Sequence, residues 1–547
     1  MNRWLILILV ASITSLFACN NENEGGPRKK RKWFTFRDRS ITPQNAFNDL
    51  FVDSSRVEQF IIKERLDSAT AQHMRSFYNS RNYQYAWFNQ SGLNEPGLSF
   101  WNLLNSFIHL TKDSSLFDKA LAGRMQQFVD GDTIHNASKS SMDQTELELT
   151  HQFFIYASVA YGGRVDPNEL QWFIPRKKVD ALALLDSMVR KGKGDDPESW
   201  EPVNPQYQAL KKELIRFNQI ADKGGWKPIP MEGKKSWTPG DSSPVIIAVK
   251  QRLLLSGDLG RADSSARYDS TLLAAVQRAQ RRFGFKEDGI IDTPLIKALN
   301  VPVKQRIEQL LINMERMRWL PEKQAPQRIV ANIPEFKIHV YENNQEVFDM
   351  AIVVGKEGNS TVIFNDELKY IVFSPYWNVP ASIVKNEIMP AMRRNPNYLA
   401  SQNMEVVGNG GGTPSIRQKP GPKNSLGKVK FLFPNNYNIY FHDTPAKSLF
   451  QREKRAFSHG CMRLQDPVKL ATYLLRDQPD WTPERISAAM NSSAEKWVTL
   501  KNPVPVYVSY FTAWVDNQGV LHFRDDIYGH DRRTAERLFV QPSVAMK

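Results

Sequence analysis

Ser458-His459-Gly460-Cys461-Met462-Arg463 decides how this chain is read, and the rest of the sequence is best taken outward from it. The chain has two cysteines. Cys19 closes an N-terminal hydrophobic segment, which leaves Cys461 alone, with a histidine two residues before it and a glycine beside it. A solitary thiol behind an export signal cannot form a structural disulfide. It is a buried small hydrophobe, a metal ligand or a nucleophile.

The nucleophile reading needs a base, because only the thiolate attacks. His442 ends the alternating run Ile439-Tyr440-Phe441-His442, and Asp443-Thr444-Pro445 turns away from it. Fifteen residues separate His442 from Ser458, a loop long enough to return the chain to the same strand end and set Cys461 beside His442. Gly460 permits a tight turn in which the N–H groups of Gly460 and Cys461 can converge on a developing oxyanion. His459 is expected to orient the loop or the substrate. Arg463 is placed to meet a substrate carboxylate, with a structural ion pair as the alternative.

Around this site the pattern is β-rich. Ile329 to Val340, Val347 to Val354, Tyr370 to Ser374, Val429 to Phe433 and Ile439 to His442 read as strands, with a turn at Asn435-Asn436. Asp466-Pro467 caps a helix that runs through Leu474-Leu475, and Val504 to Val515 and Val520 to Phe523 return to strand. This places a mainly β domain at 326–500, with C-terminal strands and a tail at 501–547. Residues 383–427 are rich in Asn, Gly, Pro and basic side chains. An insertion of that length reads as a lid.

Towards the N-terminus the period becomes helical. A connecting helix is expected over 301–321, stopped at Pro321. Residues 243–300 hold two helices, a Phe-Gly-Phe and Asp-Gly-Ile-Ile-Asp turn, and a short helix ending Ala298-Leu299-Asn300. This unit resembles the small three-helix peptidoglycan-binding domain of wall enzymes. Residues 43–235 read as a helical scaffold, in which Phe100, Trp101, Leu104, Phe107 and Ile108 share one face. Its aromatic runs (Phe77 to Trp87, Tyr156 to Tyr161) read as packing rather than as a binding box. Residues 20–42 form a tether with the basic run Arg28-Lys29-Lys30-Arg31-Lys32. Before it, Met1-Asn2-Arg3 and the apolar run Trp4 to Phe17 make an export signal of about 14 residues, short of the roughly 20 a spanning helix needs. Leu16-Phe17-Ala18-Cys19 resembles a lipobox, so 1–19 is expected to be a lipoprotein signal with Cys19 as the first mature, lipidated residue. An ordinary cleaved signal or a short uncleaved anchor is the alternative. The expected fold class is therefore multidomain α+β. The net charge of +14 suits an acidic polymer but names none.

His-x15-Ser-His-Gly-Cys-x-Arg resembles the signature of the L,D-transpeptidase catalytic domain, in the large Gram-negative type with scaffold and peptidoglycan-binding domains. The resemblance also rests on Val353-Val354-Gly355-Lys356, Phe373 to Pro380, Gln418-Lys419-Pro420-Gly421, Asn424-Ser425-Leu426-Gly427, His442-Asp443-Thr444-Pro445 and Thr512-Ala513-Trp514-Val515-Asp516. Thr361-Val362 stands where relatives commonly have Thr-Pro. The resemblance implies Cys461 as nucleophile and His442 as general base. The donor would be a peptidoglycan tetrapeptide stem that loses D-Ala, and the acceptor a diaminopimelate amine, giving a 3→3 cross-link. Tyr376, Trp377, Asn378, Ser458, His459 and Arg463 are expected to contact substrate. No metal or cofactor is required, and acylation of Cys461 by a carbapenem is implied.

Three other readings share these residues. The same thioester could go to water, to a free D-amino acid or to an anchored protein. His442, His459 and Cys461 could instead hold zinc in a wall peptidase. The chain could also be a non-catalytic wall-binding lipoprotein. The export signal sets the expected location outside the cytoplasm, in the periplasm-facing envelope and lipid-anchored to a membrane, with peptidoglycan rather than nucleic acid as partner.

Overall fold

The computed structural model describes residues 36–46, 48–129, 138–191, 202–231, 235–321, 324–410 and 412–539. The expected signal, Cys19 and the basic run lie outside these. The chain divides into two compact units, 1–85 and 86–547, so the expected 43–235 scaffold is split between them. In the first, α1 (Ser54–Lys63) and α2 (Ser68–Ser80) are capped by Asp53 and Asp67, and Val57, Phe60, Phe77 and Tyr78 are buried.

The second unit begins with a hairpin of β1 (Phe88–Asn89) and β2 (Gly92–Leu93). The helices α3 (Glu95–Thr111), α4 (Lys119–Val129), α5 (Lys139–Ala157), α6 (Ala181–Lys191) and α7 (Pro205–Asp222) follow. Phe100 and Leu104 are buried on the expected face of α3, and the Phe100 ring stacks on Trp87 at 5.4 Å. Between α5 and α6 the chain contributes β3 (Trp172–Phe173), which pairs in parallel with a strand of the main sheet, Trp172 opposite Ile363. The scaffold thus donates a strand to the catalytic sheet, which a two-residue pair with no alternation could not announce.

The small helical unit takes its form from its caps. After β4 (Ser236–Trp237), the helix α8 (Pro244–Ser256) ends at Gly257 in the left-handed region (φ 82°). Asp269 caps α9 (Ser270–Phe283), and Asp292, closing β5 (Ile291–Asp292), caps α10 (Thr293–Leu299) by accepting from Leu295 N at 2.9 Å. Each such cap satisfies an N–H the helix cannot pair itself.

The helix α11 (Val303–Trp319) is more than a connection. It shares a core with α7 and with the hairpin β18 (Ala513–Val515) and β19 (Leu521–Phe523). Its Glu315 is fully buried and accepts from the N–H groups of Arg164 (2.6 Å) and Val165 (2.8 Å) and from Arg318 (2.7 Å). A side chain at Gly163 (φ 82°) would fall 2.6 Å from the Glu315 carboxylate, so close approach requires glycine there.

The main sheet is built from β6 (Arg328–Asn332), β7 (Lys337–Glu342), β8 (Gln345–Gly355), β9 (Ile363–Phe373), β13 (Val429–Leu432), β14 (Phe441–His442), β16 (Met462–Leu464) and β17 (Lys496–Ser509). Its pairings close on themselves in the order β9–β13–β14–β16–β8–β7–β6–β17 and back to β9. The closed ring encloses a core including Ile371, Phe431, Phe441, Met462, Leu464 and Val498. Two sequence expectations change here. The boundary at 500/501 falls inside β17, so the last strand belongs to the catalytic sheet. The run Val504 to Val515 is also not one strand. Phe511 N and Thr512 N are bonded by the side chains of Asn332 and Asn313, which ends pairing at Ser509.

The lid is folded rather than loop-like. It contains β10 (Trp377–Asn378), short helical turns over 381–401, β11 (Met404–Gly410) and β12 (Thr413–Gln418), with β12 paired to both other strands. Val379, Ile383, Val384, Ile388 and Ile416 form its own core. The apolar residues are too scattered among Asn, Gly and Pro to show this by period.

Candidate active site

The ring places the nucleophile loop. β15 (Ala456–Ser458) lies parallel to β8, and β16 returns parallel to β14, with Phe441 opposite Met462 and His442 opposite Arg463. Phe441 and Met462 point into the core. Strand alternation therefore puts Tyr440, His442, Cys461 and Arg463 together on the outer face. Cys461 stands opposite Tyr440, and His442 is its diagonal neighbour.

The loop is fixed by its own polar atoms. Gly460 has φ 117°, a region favouring glycine, and its carbonyl accepts from Thr361 Oγ1 at 2.7 Å. Ser458 is 2% exposed; its Oγ donates to the Cys461 carbonyl (2.6 Å) and accepts from Gly460 N (3.1 Å). Two expectations are corrected by this. Gly460 N–H is engaged by Ser458 and does not face an oxyanion, and Ser458 is a buried brace of the loop rather than a substrate contact.

His442 is buried, and its Nδ1 donates to the Asp443 carbonyl at 2.5 Å. A carbonyl only accepts, so Nδ1 carries the hydrogen and Nε2 keeps the lone pair. Asp443 is itself held: its carboxylate accepts from Lys428 N (2.9 Å) and Lys447 Nζ (2.8 Å), and Gly427 gives it room. Burial, and then the charge of Arg463, push the His442 imidazole down to about 3.

Cys461 is half-buried, and its thiol donates to the Asn438 carbonyl at 3.4 Å. Burial pushes the thiol up to about 11, while hydrogen bonds from the backbone N–H and the hydroxyl of Tyr440 draw it back. At neutral pH the site therefore rests as a thiol and a neutral imidazole. Tyr440 was missed from sequence, yet it was findable: it lies two residues before His442 and so shares its face.

The other expected contacts divide. Arg463 makes no ion pair among the described residues, and its Nε is buried without a partner. His459 Nε2 lies 2.8 Å from Glu387 Oε1 on the lid. Tyr376, Trp377 and Asn378 stand at the root of the lid. Tyr376 N donates to Glu495 and its ring lies under Arg417 at 4.2 Å; Trp377 and Asn378 pair with Gln418 and Arg417. Asn378 also lines a hollow of about 320 Å³ within the lid, with Val379, Thr413 and Ile416, and that hollow does not reach Cys461. Among the described residues His339, Glu346 and Asp349 form the metal-competent cluster, while His442, His459 and Cys461 do not gather around one point.

Residues 326–506 match the family described as "L,D-transpeptidase catalytic domain". The chain carries an L,D-transpeptidase catalytic domain. Residues 72–214 match "Scaffold domain" and residues 242–299 "Putative peptidoglycan binding domain". A curated relative from Haemophilus influenzae, named "Putative L,D-transpeptidase", is 30% identical over 242 residues, 41% of this chain and 48% of that protein. The chain thus spans about half the length of that relative. Among solved structures, an L,D-transpeptidase from Mycobacterium smegmatis is 16% identical, covering 34% of this chain and 59% of that one, with a TM-score of 0.19. Another, from Stackebrandtia nassauensis, is 11% identical, covering 50% and 96%, with a TM-score of 0.22. The transpeptidase domain contains every residue of the Cys461 site described above.

Proposed function

We propose that the protein is a cysteine acyltransferase acting on peptidoglycan stems. Cys461 forms a thioester with a tetrapeptide stem, D-Ala leaves, and the acyl group passes to a diaminopimelate amine as a 3→3 cross-link. The observation that carries this reading is the shared outer face of Cys461, His442, Tyr440 and Arg463, with the His442 Nδ1 hydrogen held by the Asp443 carbonyl.

The steps follow from that arrangement. Cys461 Sγ attacks the carbonyl carbon of the third stem residue while its proton passes to His442 Nε2. Because thiol and imidazole are both neutral at rest, proton transfer accompanies attack rather than preceding it. The oxyanion is held by the remaining loop donor, Cys461 N–H, and by the Tyr440 hydroxyl; one such donor is typically worth about 3 kcal/mol. The tetrahedral adduct collapses, the C–N bond breaks, and His442 gives its proton to the departing D-Ala nitrogen. Arg463, without an ion pair among the described residues, receives a stem carboxylate. The folded lid covers the cleft while the thioester waits. The small helical unit holds the wall polymer, and lipidated Cys19 tethers the enzyme at the envelope.

Incubation with a diaminopimelate-containing tetrapeptide fragment, followed by mass analysis, tests this. Cross-linked dimer and free D-Ala are expected, and both are expected to vanish with Cys461→Ala. Dimer formation that survives Cys461→Ala would refute the acyl-enzyme route.

A further inference from the structure

We propose that Glu387 on the lid and His459 in the nucleophile loop form a subsite for the ammonium group of the acyl acceptor. This rests on Cys461 as the acyl carrier and goes further, because it assigns residues to the acceptor and makes that acceptor a cationic primary amine.

The geometry starts from the 2.8 Å contact between His459 Nε2 and Glu387 Oε1. A carboxylate oxygen accepts, so Nε2 is the donor in this contact, and a proton taken up by the ring would go to Nδ1. Glu387 comes from the π-helical turn Val384–Ile388, whose Val384 and Ile388 are buried in the lid core. The turn is thereby anchored while Glu387 is left outside. Single π-turns of this kind recur at functional sites. The pair is exposed, His459 at 37% and Glu387 at 54%. An exposed pair of this kind contributes little to stability, so the fold itself does not require it.

Charge is arranged oppositely before and after the nucleophile. Arg463, two residues after Cys461, makes no ion pair among the described residues, and its buried Nε lacks a partner, which suits a carboxylate. Glu387 with His459, two residues before Cys461, is an acceptor pair suited to an ammonium group. Water gains only a hydrogen bond from such a pair, whereas an ammonium group also gains the attraction of its charge.

The step balances as follows. The acceptor ammonium gives one proton to His459 Nδ1, and the freed nitrogen attacks the thioester carbonyl carbon. A second nitrogen proton passes to His442 Nε2. The C–S bond breaks, Cys461 leaves as thiolate, and His442 returns its proton to the sulfur. His459 releases its proton to solvent. Glu387 acts as a positioning residue for His459 and as a counter-charge for the acceptor.

The test uses the full chain carrying the stem thioester, with two acceptors in parallel: diaminopimelate, whose nitrogens are ammonium groups at pH 7, and hydroxylamine, whose nitrogen is uncharged at pH 7. In Glu387→Gln the ratio of diaminopimelate product to hydroxylamine product is expected to fall about twofold to fivefold. Glu387→Asp is expected to recover part of the ratio. An unchanged ratio, or an equal fall for both acceptors, would overturn the subsite. A wild type that forms no thioester would overturn the acyl-enzyme reading and this subsite with it.

Discussion

His442 gives its Nδ1 hydrogen to the Asp443 carbonyl at 2.5 Å, which leaves Nε2 as the only basic atom of the ring. Asp443 can hold that position because Lys428 N and Lys447 bind its carboxylate. Replacing His442 by Ala should slow acylation of Cys461 by about 10²- to 10⁴-fold, the usual worth of a positioned base. Single-turnover mass spectrometry with a carbapenem gives the rate directly.

The resting pair is neutral, and that has a pH signature. With the Cys461 thiol at about 11, its alkylation by iodoacetamide should keep rising with pH beyond 9. A plateau by pH 8 would show a preformed thiolate and contradict this account.

Stability should carry the His442 signature as well. Its folded-state value near 3 lies below the ordinary 6.5, so the unfolded chain binds more protons between them. Its contribution therefore falls as pH drops from about 6.5 towards 3, and is constant above that window. His442→Gln should lose less thermal stability between pH 7 and pH 4 than the wild type. An identical loss in both proteins would count against the depressed imidazole.

Tyr440→Phe removes the hydroxyl that lowers the Cys461 thiol and that the proposed mechanism turns to the oxyanion. Acylation should slow by about 10²-fold. The alkylation curve should move to higher pH, while the melting temperature changes little. A rate within twofold of wild type would remove Tyr440 from the site.

Trp172 tests the shared fold. It is buried, pairs opposite Ile363, and meets Trp319 edge-on at 5.2 Å and Phe511 at 5.8 Å. Trp172→Ala should cost about 3–5 kcal/mol. Calorimetry should show the scaffold and catalytic parts melting together at lower temperature. Loss of a scaffold transition alone would mean that the donated strand does not couple them.

Much of this was legible in the sequence, for identifiable reasons. Strand alternation at Ile439-Tyr440-Phe441-His442 and the 15-residue return to Ser458 located the site, because both are local. Asp466 was readable as a cap for the same reason. What was not legible depends on partners far away in the chain. Gly460 N–H faces Ser458 because Thr361, nearly a hundred residues earlier, holds the Gly460 carbonyl. The lid core gathers residues from Val379 to Ile416 that show no period. The break of β17 at Ser509 is set by the side chains of Asn313 and Asn332, which no local propensity contains.

The central claim is that Cys461 carries the acyl group. Intact-mass measurement of the full chain with a diaminopimelate tetrapeptide, quenched before turnover, tests it most directly. The account predicts one adduct per chain at Cys461, equal to the stem less D-Ala, with one D-Ala released, and neither with Cys461→Ala. Release of D-Ala by Cys461→Ala, or turnover with the adduct on another residue, would contradict it.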